Sequence, residues 1–213
     1  MQQLLLPLFP LSVVLFPRTP LPLHIFEDRY KEMIGEAIEA KTEFGIVLLQ
    51  DQSLAGIGCT AVVERVLERY PDGQLDILTG GRRRFRIESL NEERAFLRGE
   101  VEFFDDEEPP AAGGIPGDLK ARVLEDFREI EKLDQNPGSW HPDLADAQIS
   151  FQLGHAVPDL DFRQVLLNSR SEVERMRRLA EFLPSFAARE KMVQHVRAVA
   201  PKNGHGHRSV DSE

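Results

Sequence analysis

The chain has 213 residues, 41% of them hydrophobic and 29% charged, with a formal net charge of −10 and a single cysteine; this length suits one large domain or two small ones. Acidic groups outnumber basic ones in both halves, which excludes the broad basic footprint that nucleic-acid backbones require. Cys59 alone excludes an internal disulfide, no apolar run reaches transmembrane length, and the apolar opening lacks a basic leader and a small-residue cleavage site, so a cytoplasmic protein without membrane association is expected.

Three short apolar runs open the chain, punctuated by Pro7, Pro10, Pro17, Pro20 and Pro22. Proline cannot donate to a ladder and holds its predecessor extended, so these runs read as edge strands and turns. From Glu27 to Ala40, Tyr30, Met33, Ile34, Ala37 and Ile38 share one face of an amphipathic helix. Phe44–Leu49 is a continuous apolar run, the pattern of a buried strand. Ile57–Tyr70 reads as a long strand that returns through the Pro71-Asp72-Gly73 turn as a hairpin. Gly80-Gly81 marks a bulge or bend, and Leu97, Val101 and Phe103 alternate with charged residues in a half-buried strand.

Composition then shifts to an acidic patch and a Pro/Gly/Ala stretch ending at Gly117, after which the pattern is helical. Asp118 is placed to cap a helix carrying Leu119, Val123, Phe127 and Ile130, which Asn136-Pro137-Gly138 would stop. A second helix is expected over about 142–156 and a third after Pro158-Asp159. Ser171-x-x-Glu174 is a capping box opening a long fourth helix, with Pro184 placed to kink or interrupt it. The fold class is therefore α+β: a sheet-rich unit over 1–105, a linker over 106–117, a helical unit over 118–200 and a disordered tail over 201–213.

The segments Leu6-Pro7-Leu8-Phe9-Pro10-Leu11, Val14-Leu15-Phe16-Pro17 and Leu21-Pro22-Leu23-His24-Ile25-Phe26-Glu27 with Arg29-Tyr30 resemble the opening of the Lon protease N-terminal, substrate-binding domain. Glu43–Leu48 and Gly80–Ile87 are similar too, and Phe162–Leu167 and Arg175–Leu179 more loosely. The resemblance implies a PUA-like pseudo-β-barrel followed by a small helical bundle. It also implies a ligand class: unfolded or extended polypeptide, or a protein partner.

Catalytic chemistry finds little support. No G-x-x-x-x-G-K-[ST] loop occurs, so no nucleotide partner is expected, and none of the six lysines sits in a setting resembling the family's protease dyad. Cys59 reads as a small core residue, the alternative being a nucleophile that would need a base such as His24. His24 is either a ligand-contacting side chain or a hydrogen-bonded structural histidine. His205-Gly206-His207 lacks a third metal ligand, and no cofactor or metal is expected.

Arg82, Arg84 and Arg86 would share one face of a strand. They suit either an RNA-binding stripe or cross-strand pairing, Arg84 with Glu100 and Arg82 with Glu102. The expected function is a non-enzymatic polypeptide-binding module with Pro17, Arg18, Leu21, His24 and Tyr30 near its surface. The alternative is an RNA-binding PUA-like protein using the arginine face.

Overall fold

The computed structural model describes residues 5–107, 114–132 and 141–199. Among the described residues, six strands form one mixed sheet: β1 (Leu6–Leu11), β2 (Pro20–Ile25), β3 (Phe44–Gln50), β4 (Ser53–Arg69), β5 (Leu75–Asn91) and β6 (Arg98–Phe104). Their order is β2-β5-β4-β3-β1-β6, and β5 also pairs with β6, so five strands close into a ring and β2 hangs on its outside. The closure is possible because β5 is 17 residues long: its first part pairs with β2 and its last part with β6. β1 and β3 are parallel, and the other pairs are antiparallel.

The inside of the ring is filled by Leu8, Val47 and Phe85, with Leu6, Leu54, Ile87, Leu97 and Val101 packed against them. Gly45 and Gly58 lie against the Phe85 ring. A Cβ at either position would come within 2.6 Å of Phe85 Cζ, so only glycine leaves room for this aromatic at the centre of the ring. Helix α1 (Asp28–Ala40) buries Tyr30, Met33, Ile34 and Ala37, the face its periodicity indicated. It ends on Lys41 in the left-handed region (φ 53°), whose neighbour Thr42 donates its N–H to the Ala37 carbonyl.

Four further helices are α2 (Gly117–Glu131), α3 (Ile149–His155), α4 (Leu160–Asn168) and α5 (Glu172–Val199). Asp159 caps α4 by accepting from the Phe162 N–H, and the Ser171 hydroxyl accepts from the Glu174 N–H at the start of α5. The architecture is α+β, as the patterning indicated. Three local expectations are corrected. Helix α3 starts at Ile149 rather than 142, because Asp143 and Asp146 accept from the N–H groups two residues on and hold that stretch in turns. Asp118 does not cap α2, whose N-cap is Pro116. Pro184 sits inside α5 without ending it.

Contacts divide the chain into two units. The first is Met1–Gly114 with Pro142–Arg175, and the second is Ile115–His141 with Met176–Glu213. The division after Gly114 falls within the expected linker over 106–117, but the expected helical unit over 118–200 is split, since α3, α4 and the first turn of α5 belong with the strands. The physical reason is a buried charge cluster, described below, that ties residues 148–175 to β5. In the second unit, α2 buries Val123, Phe127 and Ile130, Arg122 donates to the Ala180 carbonyl, and Lys191 pairs with Glu129. Half of the expected linker (108–113), the Asn136-Pro137-Gly138 stop, the expected tail and His205-Gly206-His207 lie outside the described residues.

Candidate functional site

The strands before α1 place the expected site residues at different depths. Pro17 is buried. Tyr30 is buried as well, its ring 4.1 Å from that of Phe9 and capped by the Arg29 guanidinium. Arg18 is half-exposed but committed: its guanidinium donates twice to Asp146 (2.6 and 2.7 Å) and once to Gln148. Leu21 is half-buried on the face of β2 that also carries Ile25, with its carbonyl accepting from the Thr79 hydroxyl. Only His24 lies on the open face.

Around His24 the hairpin of β4 and β5 builds a small polar and aromatic surface. His24 Nδ1 is 2.6 Å from Asp76 Oδ1, and the Tyr70 hydroxyl donates to Asp76 Oδ2 at 2.7 Å. The His24 ring stacks on Phe26 (5.9 Å between centroids) and meets Tyr70 edge-on (6.0 Å). Hydrogen bonds from Tyr70 and then His24 hold the Asp76 carboxyl below its ordinary range, and the bond to Asp76 raises the Tyr70 phenol. Phe26 and Tyr70 are exposed aromatics that the sequence reading passed over. Both had a signal: Phe26 follows His24 at strand spacing, and Tyr70 and Asp76 flank the Pro71-Asp72-Gly73 turn.

The outer edge of β2 is nearly devoid of donors. Gly81 N–H bonds the Thr19 carbonyl, so Thr19 and, by alternation, Leu21, Leu23 and Ile25 turn their backbone groups toward β5. Pro20, Pro22 and His24 face outward, and of these only His24 has an N–H. Proline at alternate positions thus blunts this edge.

The arginine stripe is not a stripe. Cys59 and Ala61, two apart on β4, pair with Arg84 and Gly81, three apart on β5, so a bulge at Arg82-Arg83 shifts the parity. Arg82 leaves the Arg84 face and pairs with Glu64, Arg83 pairs with Glu43, and Arg86 lies opposite Glu102 at 4.0 Å. The expected partners Glu100 for Arg84 and Glu102 for Arg82 are corrected: Arg84 stands opposite Phe104 and Glu102 opposite Arg86. An RNA-binding face needs guanidiniums presented together to solvent, and the central one here is 2% exposed.

Arg84 instead belongs to a buried cluster. Its guanidinium donates to Asp106 Oδ1 (2.6 Å) and to the Leu167 and Ser169 carbonyls. Arg175, fully buried, donates to both Asp106 oxygens (2.7 and 2.6 Å), to Glu172 and to Ser150. Burial alone would raise the Asp106 carboxyl, but Arg175, then Gln148 and Arg84, overcome it and pull it to about 2. Burial drives the Arg84 guanidinium the other way, below its ordinary value. Cys59 is fully buried and its thiol is pushed up to about 12 by that burial, which leaves no thiolate for nucleophilic chemistry.

A groove of about 860 Å³ lies beside β1 and β6. Leu5, Leu6, Phe96, Val101 and Phe103 supply its apolar surface. Its charged rim is largely self-paired: Arg83 with Glu43, Arg94 with Glu32 and Glu36, and Arg98 with Glu93. The Arg83 guanidinium also lies 3.8 Å over the Phe103 ring.

The ring of strands, its proline-blunted outer strand and the helices that follow define an α+β architecture. The family model of the ATP-dependent protease La (LON) substrate-binding domain matches residues 5–188, and the chain belongs to that family. A Lon protease of Parabacteroides distasonis is 31% identical over 49% of this chain and 14% of its own length. One from Cytophaga hutchinsonii is 25% identical over 83% of this chain and 22% of its own. The chain thus spans less than a quarter of these relatives. A Lon N-terminal domain protein from Xanthomonas campestris shares the fold, with TM-score 0.67, 24% identity, and coverage of 84% of this chain and 98% of that one. The N-terminal domain of a Mycobacterium avium complex Lon protease gives 0.61 at 19% identity.

Among the described residues, no helix is long and apolar enough to cross a membrane.

Proposed function

We propose that this chain is a non-enzymatic module of the cytoplasm that binds unfolded or extended polypeptide, without nucleotide, metal or nucleic acid. Family membership supports the ligand class. The observation that carries the surface assignment is the aromatic patch of Phe26, His24 and Tyr70, with Phe26 58% exposed. Of the other residues singled out by the sequence, Leu21 lies on the opposite face of β2, Pro17 and Tyr30 are buried, and Arg18 is tied to Asp146 and Gln148, so their part is to hold the backbone that carries the patch. Rigid aromatics with polar tips contact many sequences at low ordering cost, which suits a ligand of variable sequence.

The test is fluorescence anisotropy with a labelled unfolded polypeptide, read for the wild type, Phe26→Ala and His24→Ala. Both side chains are exposed, so circular dichroism should be unchanged. Burying the Phe26 ring against a ligand is worth about 1–2 kcal/mol, so its removal should weaken binding about 5- to 30-fold. Absence of binding by the wild type at hundreds of micromolar ligand refutes the reading.

A further inference from the structure

We infer that the open sheet face around His24 selects extended polypeptide in which lysine or arginine alternates with apolar residues, each cation seated over the exposed rings beside Asp76 and Glu68. The inference rests on the polypeptide-binding reading and adds the chemistry of the ligand that this patch prefers.

β2, the first part of β5 and the last part of β4 lie side by side, and their register sorts the side chains onto two faces. His24, Asp76 and Glu68 stand in one row, and Pro22, Leu78 and Arg65 in the next. The rows between them belong to the other face, where Ile25, Leu75 and Ile77 are buried. The His24 face is the open one: Pro22, His24, Arg65 and Glu68 are exposed, and Leu78 is half-buried. Phe26 stacks on His24 and Tyr70 meets it edge-on, so rings that are 58% and 39% exposed stand at one end of this face.

Charge decides the occupant. Glu68 lies directly opposite Asp76, and like charges so placed repel. Asp76 is held as a carboxylate by the Tyr70 and His24 bonds, and among the described residues no cation pairs with Glu68. The Tyr70 phenol, raised first by its bond to Asp76, feels Glu68 and the turn residue Asp72 as well. The cations on the α1 flank are already committed, Lys31 to Asp28 and the Asp72 carbonyl and Arg29 to Glu27. Arg65 stands in the neighbouring row, beside Leu78 rather than between the two carboxylates.

An incoming lysine or arginine relieves the repulsion of Glu68 and Asp76, meets the negative faces of the Phe26 and Tyr70 rings, and lays its apolar stem along them. Apolar neighbours in the same segment cover Pro22 and Leu78. An acidic segment adds a further like charge. A neutral one covers the rings but strips water from Asp76 and Glu68 without replacing it.

The test uses the full chain and labelled peptides of about eight residues, a usual strand length. They share their apolar positions and carry lysine, Nε-acetyl-lysine or glutamate at the others. By fluorescence anisotropy the lysine peptide should bind about tenfold tighter than the acetylated one, and the glutamate peptide most weakly. Raising the salt from about 0.1 to about 1 M shortens the screening length from about 10 to about 3 Å and should at least halve the preference. Glu68→Gln with Asp76→Asn should reduce it to about twofold or less. Removing two exposed carboxylates elsewhere, with Glu88→Gln and Glu125→Gln, should leave it in place, which separates the patch from the overall charge of −10.

Equal affinity for the peptides, or a preference that survives the loss of Glu68 and Asp76, overturns the inference and leaves the polypeptide-binding reading standing. An equal loss of preference in the Glu88 and Glu125 variant overturns it as well, because overall charge is then the cause. No binding of any peptide at hundreds of micromolar defeats the polypeptide-binding reading itself. Should circular dichroism show that the double variant is unfolded, Glu68→Gln alone carries the same test, since that exposed side chain makes no hydrogen bond or ion pair among the described residues.

Discussion

Asp106→Asn should cost this protein much of its stability, in a manner that depends on pH. The carboxylate accepts four hydrogen bonds, from Arg84 Nη2, both Nη of Arg175, and Gln148 Nε2, at 2.6–2.8 Å. Its side chain is 4% exposed and those of Arg84 and Arg175 are 2% and 0% exposed, so water cannot replace what is lost. An asparagine retains one acceptor oxygen and turns an amide N–H₂ toward guanidinium donors. At least two charge-assisted bonds disappear, each worth about 1.5–3 kcal/mol, giving a loss of about 3–6 kcal/mol. Breaking a buried ion pair costs about 3–5 kcal/mol in general. Glu172 remains beside Arg175 at 2.7 Å, which places the expected loss near the lower end, about 3 kcal/mol. Urea unfolding followed by far-UV circular dichroism at pH 7 measures it. The folded carboxyl titrates at about 2, below the roughly 3.9 of an unfolded aspartate. Its contribution is therefore complete above about pH 4 and is lost as pH falls through about 2, so the gap between wild type and variant should close over that window. A loss below about 1 kcal/mol at pH 7, or a gap that stays constant as pH falls, would refute the account of Asp106 as the charge that holds two buried guanidiniums.

Gly58→Ala places a methyl 2.6 Å from Phe85 Cζ and 2.5 Å from the Ile46 carbonyl oxygen, and should destabilise by about 1–3 kcal/mol in the same urea assay. Cys59, buried and with its thiol raised to about 12, should resist an aromatic disulfide reagent at pH 8 and react only at the rate of unfolding; a rapid native-state reaction contradicts its burial. Lys41→Gly relieves a left-handed residue at the end of α1 and should stabilise by about 0.5–1 kcal/mol, read as a rise in Tm. Arg86→Glu combined with Glu102→Arg should recover only a few tenths of a kcal/mol over additive singles, because the 4.0 Å pair is more than half exposed; a coupling above about 1 kcal/mol contradicts that geometry.

The elements with strong local signals were legible before any coordinates. Period-3.6 patterning marked α1, Pro158-Asp159 and the Ser171-x-x-Glu174 capping box marked the starts of α4 and α5, and the Pro71-Asp72-Gly73 turn marked the β4–β5 hairpin. The alternating prolines of β2 also announced a blunted edge, and His24 was found on its exposed face. Around that histidine the site was legible only in part. Tyr70 and Asp76 reach it through a hairpin whose register had to be known, and the burial of Tyr30 depends on Phe9 lying against its ring.

Chain chemistry by itself determined the α+β class, the strand-rich first half and the proline-guarded outer strand, because periodicity, capping and the missing proline N–H act within a few residues. Tertiary structure alone decided which arginine is buried. Arg84 looks identical to Arg82 and Arg86 along the sequence. A single bulged residue opposite Thr60 moves Arg82 off its face, and Asp106 with the Leu167 and Ser169 carbonyls gathers Arg84 into the interior. Register shifts, long-range charge pairing and the length of a ladder arise between segments far apart in the chain, where no local pattern carries them.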